Sequence, residues 1–194
     1  KNLSWKLALP GPGSSSPMIH GKHLVVLCYT GYGDHLDDGG EPEKLVRHVI
    51  CIDRSSGKQM WSKALKDPLS KEARQVQLKN HGFATPTPTT DGELIYAYLG
   101  HVGLVALDFA GEIKWQAKLG EVSKEQGQAT NKVAQGGRTL SLRWGSASSP
   151  LLFENFVIVN ASEQSNSIRA YDKRNGDFVW KYESANLEGC ATSP

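Results

Sequence analysis

The chain has 194 residues, with 22 lysines and arginines against 20 aspartates and glutamates and a formal net charge of +2. A charge this small gives no field that favours nucleic acid or an anionic membrane surface, and no apolar run approaches the ~20 residues of a membrane helix. The three cysteines, Cys28, Cys51 and Cys190, are too few and too scattered for a disulfide framework or a cysteine zinc site. We interpret them as buried free thiols, while a contact between Cys28 and Cys51 stays open if their strands pair.

The first recurring element is a small-x-Asp pattern that runs through a short turn to a glycine and ends on a tryptophan. It occurs three times, with strand-like residues on both sides of each turn. Trp5 and the four residues after it match the end of the first copy, so we interpret them as the tail of an earlier one. The three full copies place their aspartate, glycine and tryptophan at Asp53, Gly57 and Trp61, at Asp108, Gly111 and Trp115, and at Asp172, Gly176 and Trp180.

The second element is a short run of small residues that ends on a proline, and it alternates with the first. These prolines, Pro17, Pro86, Pro150 and Pro194, lie 69, 64 and 44 residues apart. The shortest interval fits the ~40–50 residue period of a four-stranded propeller blade, so the longer intervals need insertions. In the third unit, apolar alternation predicts strands over Ser148–Phe153, Phe156–Ala161, Ser167–Asp172 and Phe178–Glu183. No segment has the apolar stripe of a core helix, and only a short polar helix over Leu69–Lys79 is compatible with the sequence.

The two elements suit opposite ends of a blade. The first strand of a blade lies innermost, where the blades crowd together and small side chains are needed. Proline fits there because it cannot donate to a sheet ladder and belongs at an edge. Tryptophan from the fourth, outermost strand fills the gap where neighbouring blades splay apart. The sequence therefore predicts an all-β protein, a β-propeller of four-stranded antiparallel blades.

The aspartate–glycine–tryptophan pattern resembles the tryptophan-docking motif of the PQQ-repeat, or quinoprotein-dehydrogenase-like, propellers. The segments 5–17 and 143–150 are most similar to an uncharacterised secreted bacterial branch related to the outer-membrane assembly lipoproteins. The resemblance implies a ring of about seven or eight blades, of which this chain supplies about three. We therefore expect a fragment of a longer protein, or a ring that other copies complete. The expected parts are an outer strand of a preceding blade over 1–12, blades over 13–66, 83–120 and 145–185, and the first strand of a further blade over 189–194.

Three long segments, 30–47, 66–82 and 120–144, should emerge on one face of the blades, because connections between strands 2 and 3 share that face with the connections between blades. Long loops on a rigid scaffold are the usual place for binding residues, although tolerated surface insertions remain the alternative. Arg143, which we expect near the channel mouth, could bind a carboxylate through two parallel hydrogen bonds. The ligand-binding candidates on this face are Tyr32, Asp34, His35, His81, His101, Arg143 and Trp144.

The acidic run in the first long segment is a weak calcium candidate. Its carboxylates are Asp34, Asp37, Asp38 and Glu41. They lack the regular Asp-x-Asp-x-Asp-Gly spacing of a calcium loop, so a solvated acidic loop is favoured and no metal site is assigned.

No catalytic residue is assigned, because the chain has no hydrolase, zinc-protease or dinucleotide-binding signature. The leading hypothesis is a non-catalytic module that binds a protein or polysaccharide ligand in the bacterial cell envelope, a location that the resemblance alone implies. It needs no cofactor in this segment. The alternative is a fragment of a PQQ-dependent alcohol or sugar dehydrogenase, which would use PQQ and calcium, although the vicinal cysteine pair of its catalytic members is missing here. A repeat that serves as a spacer within a larger enzyme is a third reading.

Overall fold

The chain folds, in this computed structural model, into three four-stranded antiparallel sheets that pack side by side as blades. The structure describes residues 2–33, 41–67, 82–119, 132–135, 138–141, 147–184 and 187. Within each blade the strands lie in chain order. The first blade contains β1 (Met18–His20), β2 (His23–Thr30), β3 (Val46–Asp53) and β4 (Gln59–Lys66). The second contains β5 (Thr89–Thr90), β6 (Ile95–Tyr98), β7 (Leu104–Leu107) and β8 (Ile113–Ala117).

A separate two-stranded hairpin precedes the third blade. Its strands are β9 (Lys132–Gln135) and β10 (Arg138–Ser141). The third blade contains β11 (Leu151–Phe153), β12 (Phe156–Ala161), β13 (Ser167–Asp172) and β14 (Phe178–Glu183). Helical structure in the described residues is limited to single 3-10 turns at Pro42–Lys44 and Gly100–Val102, one α-helical turn at Ser162–Ser165 and the single 3-10 residue Leu187.

The propeller fold expected from the sequence is confirmed, and three of the four predicted strands of the third unit have the predicted bounds. The first strand begins at Leu151 instead of Ser148. Pro150 stands directly before it, and Pro17 stands directly before β1. Because proline has no N–H to donate, the ladder begins after it and the small residues form an approach segment instead of a strand.

The approach segments are in contact from blade to blade. The backbone N–H groups of Ser14 and Ser15 both donate to the Ala84 carbonyl, at 2.9 and 3.0 Å. The Thr87 N–H donates to the Ser149 hydroxyl at 2.9 Å. Backbones can approach this closely only where side chains are small, which accounts for the serine, alanine and threonine content of these runs.

The second blade is covered on both sides, and its two central strands are buried throughout. Alternate residues of β6 and β7 pack against the first blade, and the others pack against the third blade. This double burial explains why these strands read as continuous apolar runs without polar alternation. The far side of the third blade is exposed, because every residue of β14 is solvent-accessible.

Each of the tryptophans Trp5, Trp61 and Trp115 contacts the blade that follows it in the chain. Its ring lies on a glycine of that blade's turn, and its indole N–H donates to the carbonyl of the residue after the motif aspartate. All three glycines have positive φ, between +71° and +88°, and a Cβ at any of them would lie within 2.7 Å of the ring, so only glycine fits. The three sets are Trp5 with Gly57 and the Arg54 carbonyl (2.8 Å), Trp61 with Gly111 and the Phe109 carbonyl (2.9 Å), and Trp115 with Gly176 and the Lys173 carbonyl (3.0 Å).

The motif aspartates organise these turns. Asp53 Oδ1 accepts the backbone N–H groups of Ser55 and Ser56, and Asp108 Oδ1 accepts those of Ala110 and Glu112. Such side-chain-to-backbone bonds fix a turn in one conformation. The aspartate therefore orients the carbonyl that receives the neighbouring indole.

Three predicted segments either form no strand or lie outside the described residues. Residues 2–9 form no strand, although Trp5 and Leu7 pack against the first blade around Cys28, Ile50 and Ile52. An outer strand needs a third strand to pair with, and none of the described residues supplies one on that side. Residues 189–194 and the helix suggested for 69–79 lie outside the described residues.

The strand order gives the blades two distinct ends. The end formed by the tight turns, which we call the hairpin face, carries residues 21–22, 54–58, 91–94, 108–112, 154–155 and 173–177. The opposite end, the loop face, carries the connections that follow Thr30, Lys66, Tyr98, Ala117 and Ala161. All three long connections therefore leave from the loop face.

Candidate functional site

A buried arginine stands at the loop face of the first blade. Arg47 is the second residue of β3 and is 1% exposed. Its neighbours along the strand include the apolar Val46 and Val49, and its side chain points towards the second blade. A guanidinium removed from water requires a charged partner and hydrogen bonds in compensation.

Arg47 finds these partners at the two ends of one long connection. Its Nε donates to Asp67 Oδ2 at 2.5 Å, and both side chains of this ion pair are buried. Its Nη1 donates to the backbone carbonyl of Phe83, and its Cζ lies 5.5 Å from the centroid of the Phe83 ring. Asp67 is the last described residue before segment 68–81, and Phe83 lies just after it. One guanidinium therefore fixes both ends of that segment.

The second blade leaves room for this side chain through a glycine. A Cβ at Gly100 would lie 3.2 Å from Arg47 Nη2, and the Gly100 φ of +57° also favours glycine. Nη2 is buried and has no hydrogen-bond partner within the part of the chain that the structure describes. The loop turn of the second blade thus closes directly over the guanidinium.

Tyr29 is paired with Arg47 across β2 and β3 and acts on the other long connection. Its hydroxyl donates to the Gly33 carbonyl at 3.4 Å, immediately before segment 34–40. Its ring meets the Phe83 ring edge-on at 5.1 Å. A Cβ at Gly82 would lie 2.7 Å from the Tyr29 hydroxyl, so Tyr29 also lies against the backbone directly after segment 68–81. We call Tyr29, Arg47, Asp67 and Phe83 the stem clamp.

The other side of the first blade carries a second polar pair at the same end. His48 Nε2 and Thr30 Oγ1 are 2.8 Å apart. Burial lowers the pKa of His48, because the charged imidazolium would lose its hydration. The neutral ring is therefore favoured in the folded protein.

The structure brings two of the sequence candidates to the stem clamp. The buried Tyr32 ring lies 5.8 Å from the Phe83 ring. His101 lies in the 3-10 turn directly after Gly100, which covers Arg47. Glu41 is exposed and pairs with Lys44 at 2.9 Å. Asp34, His35, Asp37, Asp38, His81, Arg143 and Trp144 lie outside the described residues.

Among the described residues, no group of three or more histidine, cysteine, aspartate or glutamate side chains could hold a metal ion. Cys28 and Cys51 are free and buried, and they are out of register, since Cys28 pairs with His48 and Cys51 with Val25. Burial raises the pKa of both thiols, that of Cys51 to about 11. Both therefore remain protonated at neutral pH.

Sequence reasoning missed Arg47, the central residue of the clamp. Its signal was a single cation inside the run from Val46 to Ile52, which is otherwise apolar except for His48. A charge at an inward position of a buried strand requires a partner. The partner, Asp67, lies 20 residues away, so the pairing itself was not visible in the sequence.

The architecture defines the class: adjacent four-stranded meanders whose outer tryptophans lie on the next sheet form part of a β-propeller. Residues 46–193 match the family model described as outer membrane protein assembly factor BamB. Because this match covers well over half of the chain, the chain belongs to that family of PQQ-repeat propellers. No curated protein matches the chain.

Several solved structures are similar to this chain. The quinohemoprotein alcohol dehydrogenase from Comamonas testosteroni is 19% identical with a TM-score of 0.50, over 89% of this chain and 21% of that one. The quinohemoprotein alcohol dehydrogenase ADHIIG from Pseudomonas putida HK5 is 18% identical with a TM-score of 0.52, over 92% and 21%. BamB from Moraxella catarrhalis is 13% identical with a TM-score of 0.49, over 93% and 55%. The chain spans about a fifth of the length of the two dehydrogenases, and at these identities they show the fold alone. No helix in the described part of the chain is long and apolar enough to cross a membrane.

Proposed function

We propose that the chain is a non-catalytic binding module that uses its loop face to hold a protein or polysaccharide ligand in the bacterial cell envelope. The stem clamp is the observation that carries this proposal. It fixes the points at which segments 34–40 and 68–81 leave the first and second blades.

The reasoning rests on what fixed stems do for a binding surface. A ligand that meets pre-positioned loops loses less free energy to ordering than one that meets unrestrained loops. Buried ion pairs contribute little net stability compared with apolar packing, so a buried Arg47–Asp67 pair suggests a role in positioning. Binding residues are commonly carried by loops that a rigid scaffold holds in position.

The family supports a protein ligand and an envelope location. Its model is described as an outer membrane protein assembly factor. The quinoprotein alternative would require PQQ and calcium. Incubation with PQQ, calcium and primary alcohols tests this alternative, since dye reduction that depends on all three would contradict the proposal.

Site-specific photo-crosslinking tests the proposed surface. A photoreactive phenylalanine analogue replaces Glu41 or Lys44 on the loop face, and Lys58 on the hairpin face serves as the control. All three positions are exposed. We expect a defined adduct in the cell envelope of the native host from the loop-face positions and none from Lys58. Adducts that form only from Lys58, or equally from both faces, would refute the loop face as the binding surface.

A further inference from the structure

A second set of contacts between blades lies on the hairpin face, away from the proposed ligand surface. His20, Asp91 and Phe153 hold equivalent positions in the three blades. Each lies two residues after a residue that pairs with an equivalent position of the second strand: Met18 with β2, Thr89 with β6 and Leu151 with β12. Each of the three is followed by a residue with a positive φ angle: Gly21 at +56°, Gly92 at +94° and Glu154 at +51°. We call this place the hairpin position.

The partner position is the residue after the motif aspartate, which we call the turn position. It is occupied by Arg54, Phe109 and Lys173. Its carbonyl accepts the indole N–H of the preceding tryptophan, Trp5, Trp61 or Trp115. The backbone thus does the same thing at every junction, and only the side chain of the turn position differs.

Two of these side chains, those of Phe109 and Lys173, reach the hairpin position of the preceding blade. The Phe109 ring lies 5.2 Å from the His20 ring and 4.7 Å from the His23 ring, between centroids. Lys173 Nζ lies 3.4 Å from Asp91 Oδ2. Asp91 also accepts the Tyr96 hydroxyl at 3.0 Å, so its carboxylate is held in place to receive the lysine.

The two junctions use chemistries that cannot be exchanged. Aromatic and imidazole rings stack at the first junction, whereas opposite charges meet at the second. A phenylalanine against Asp91 would leave a largely buried carboxylate without its cation, and a lysine against His20 and His23 would lose its counter-charge. Mismatched pairs of this kind are how proteins reject wrong neighbours.

We propose that the turn-position side chain determines which blade packs beside which, by matching the residue at the hairpin position of its neighbour. The tryptophan–glycine contact is common to all junctions and cannot discriminate between them. The matched pair supplies that discrimination and keeps repeats of similar shape from packing in the wrong order. The exposed side of the third blade then fits a blade with an apolar or aromatic turn-position residue, because its hairpin position is Phe153, which is 56% exposed.

A double-mutant cycle at the first junction tests the proposal. The variants are His20→Asp, Phe109→Lys and the two combined, which would give the first junction the charge pair of the second. We expect each single change to lower Tm and the combined variant to melt about 2–4 °C above the sum of the single effects. This surplus should shrink in 1 M salt because it comes from an ion pair.

Phe153→Asp is the matched control. It introduces the same residue at the same position, but no described turn-position residue faces it, so Tm should change by about 1–2 °C at most. Additive effects in the cycle would overturn the proposal, as would a Phe153→Asp change as large as that of His20→Asp. If Phe109→Lys does not fold, recovery of a cooperative transition in the combined variant supports the proposal, and failure to recover refutes it.

Discussion

Replacing Trp115 by alanine should destabilise the protein far more than the same change at Trp180. The two residues hold equivalent positions in the second and third blades, but Trp115 is 8% exposed and Trp180 is 39% exposed. Trp115 also donates its indole N–H to the Lys173 carbonyl at 3.0 Å, whereas no acceptor for Trp180 lies among the described residues. The pair of variants therefore isolates the contact between neighbouring blades.

The magnitude follows from the buried surface. The difference in exposure corresponds to about a third of a tryptophan side chain, or about 80 Å². At about 25 cal/mol per Å² this surface stabilises the fold by about 2 kcal/mol, and the hydrogen bond adds about 1 kcal/mol. Trp115→Ala should therefore lower the free energy of unfolding by about 4–5 kcal/mol, and Trp180→Ala by about 1–2 kcal/mol.

Urea unfolding followed by far-ultraviolet circular dichroism measures both values without relying on the mutated fluorophore. The free energies come from linear extrapolation, and an unchanged m value shows that the extent of unfolding is the same in both variants. Equal losses for the two variants would refute the conclusion that the indole is held between blades.

Three further predictions concern the turn glycine, the stem clamp and pH. Gly176→Ala adds a Cβ 2.5 Å from the Trp115 indole ring. Gly21→Ala is the control, because Gly21 also has a positive φ but has open space around it, and it should lower the free energy of unfolding by about 1–2 kcal/mol. The Gly176→Ala variant should lose more than this in urea unfolding. Arg47→Met removes the cation that faces the buried Asp67 carboxylate and should lower the free energy of unfolding by about 3–5 kcal/mol. The added change Asp67→Leu should restore part of this loss, and a further full loss would contradict the buried pair. Because the folded-state pKa of His48 is lowered, the stability that it contributes is complete above about pH 6.5 and is lost as the pH falls through the lowered pKa. Unfolding free energies measured from pH 7.5 to 5 should therefore fall more steeply for the wild type than for His48→Gln, and parallel curves would contradict the assignment.

The strands were predictable where runs of β-branched and aromatic residues lie between turn residues. The predicted bounds of Phe156–Ala161 and Phe178–Glu183 are correct. In the first of these strands the side chains at the start alternate between two environments, as a pleated strand requires, whereas every residue of the second is exposed. The first strand of the third blade was placed three residues early, since proline ends the ladder there. The β9–β10 hairpin was missed, because segment 120–144 was interpreted as a single long loop.

The contacts between blades were predictable only as a pattern. The spacing of aspartate, glycine and tryptophan indicated a shared device, but the acceptor of each indole is a backbone carbonyl that leaves no mark in the sequence. The stem clamp depends on Arg47 meeting Asp67 and Phe83, which lie in different elements and are brought together only by the packing of two blades. The sequence shows that Arg47 is a charged residue within an apolar run, but it does not show that Asp67 is its partner.

The affinity of the ligand captured by crosslinking tests the central claim that the loop face binds. Segment 34–40 is replaced by a glycine–serine linker of equal length, and Ser55 and Ser56 on the hairpin face are replaced by glycine as the control. The loop replacement should raise Kd by about tenfold or more, equivalent to about 1.4 kcal/mol, while the control leaves Kd unchanged. An unchanged Kd for the loop variant together with a weakened control would contradict the account and assign binding to the hairpin face.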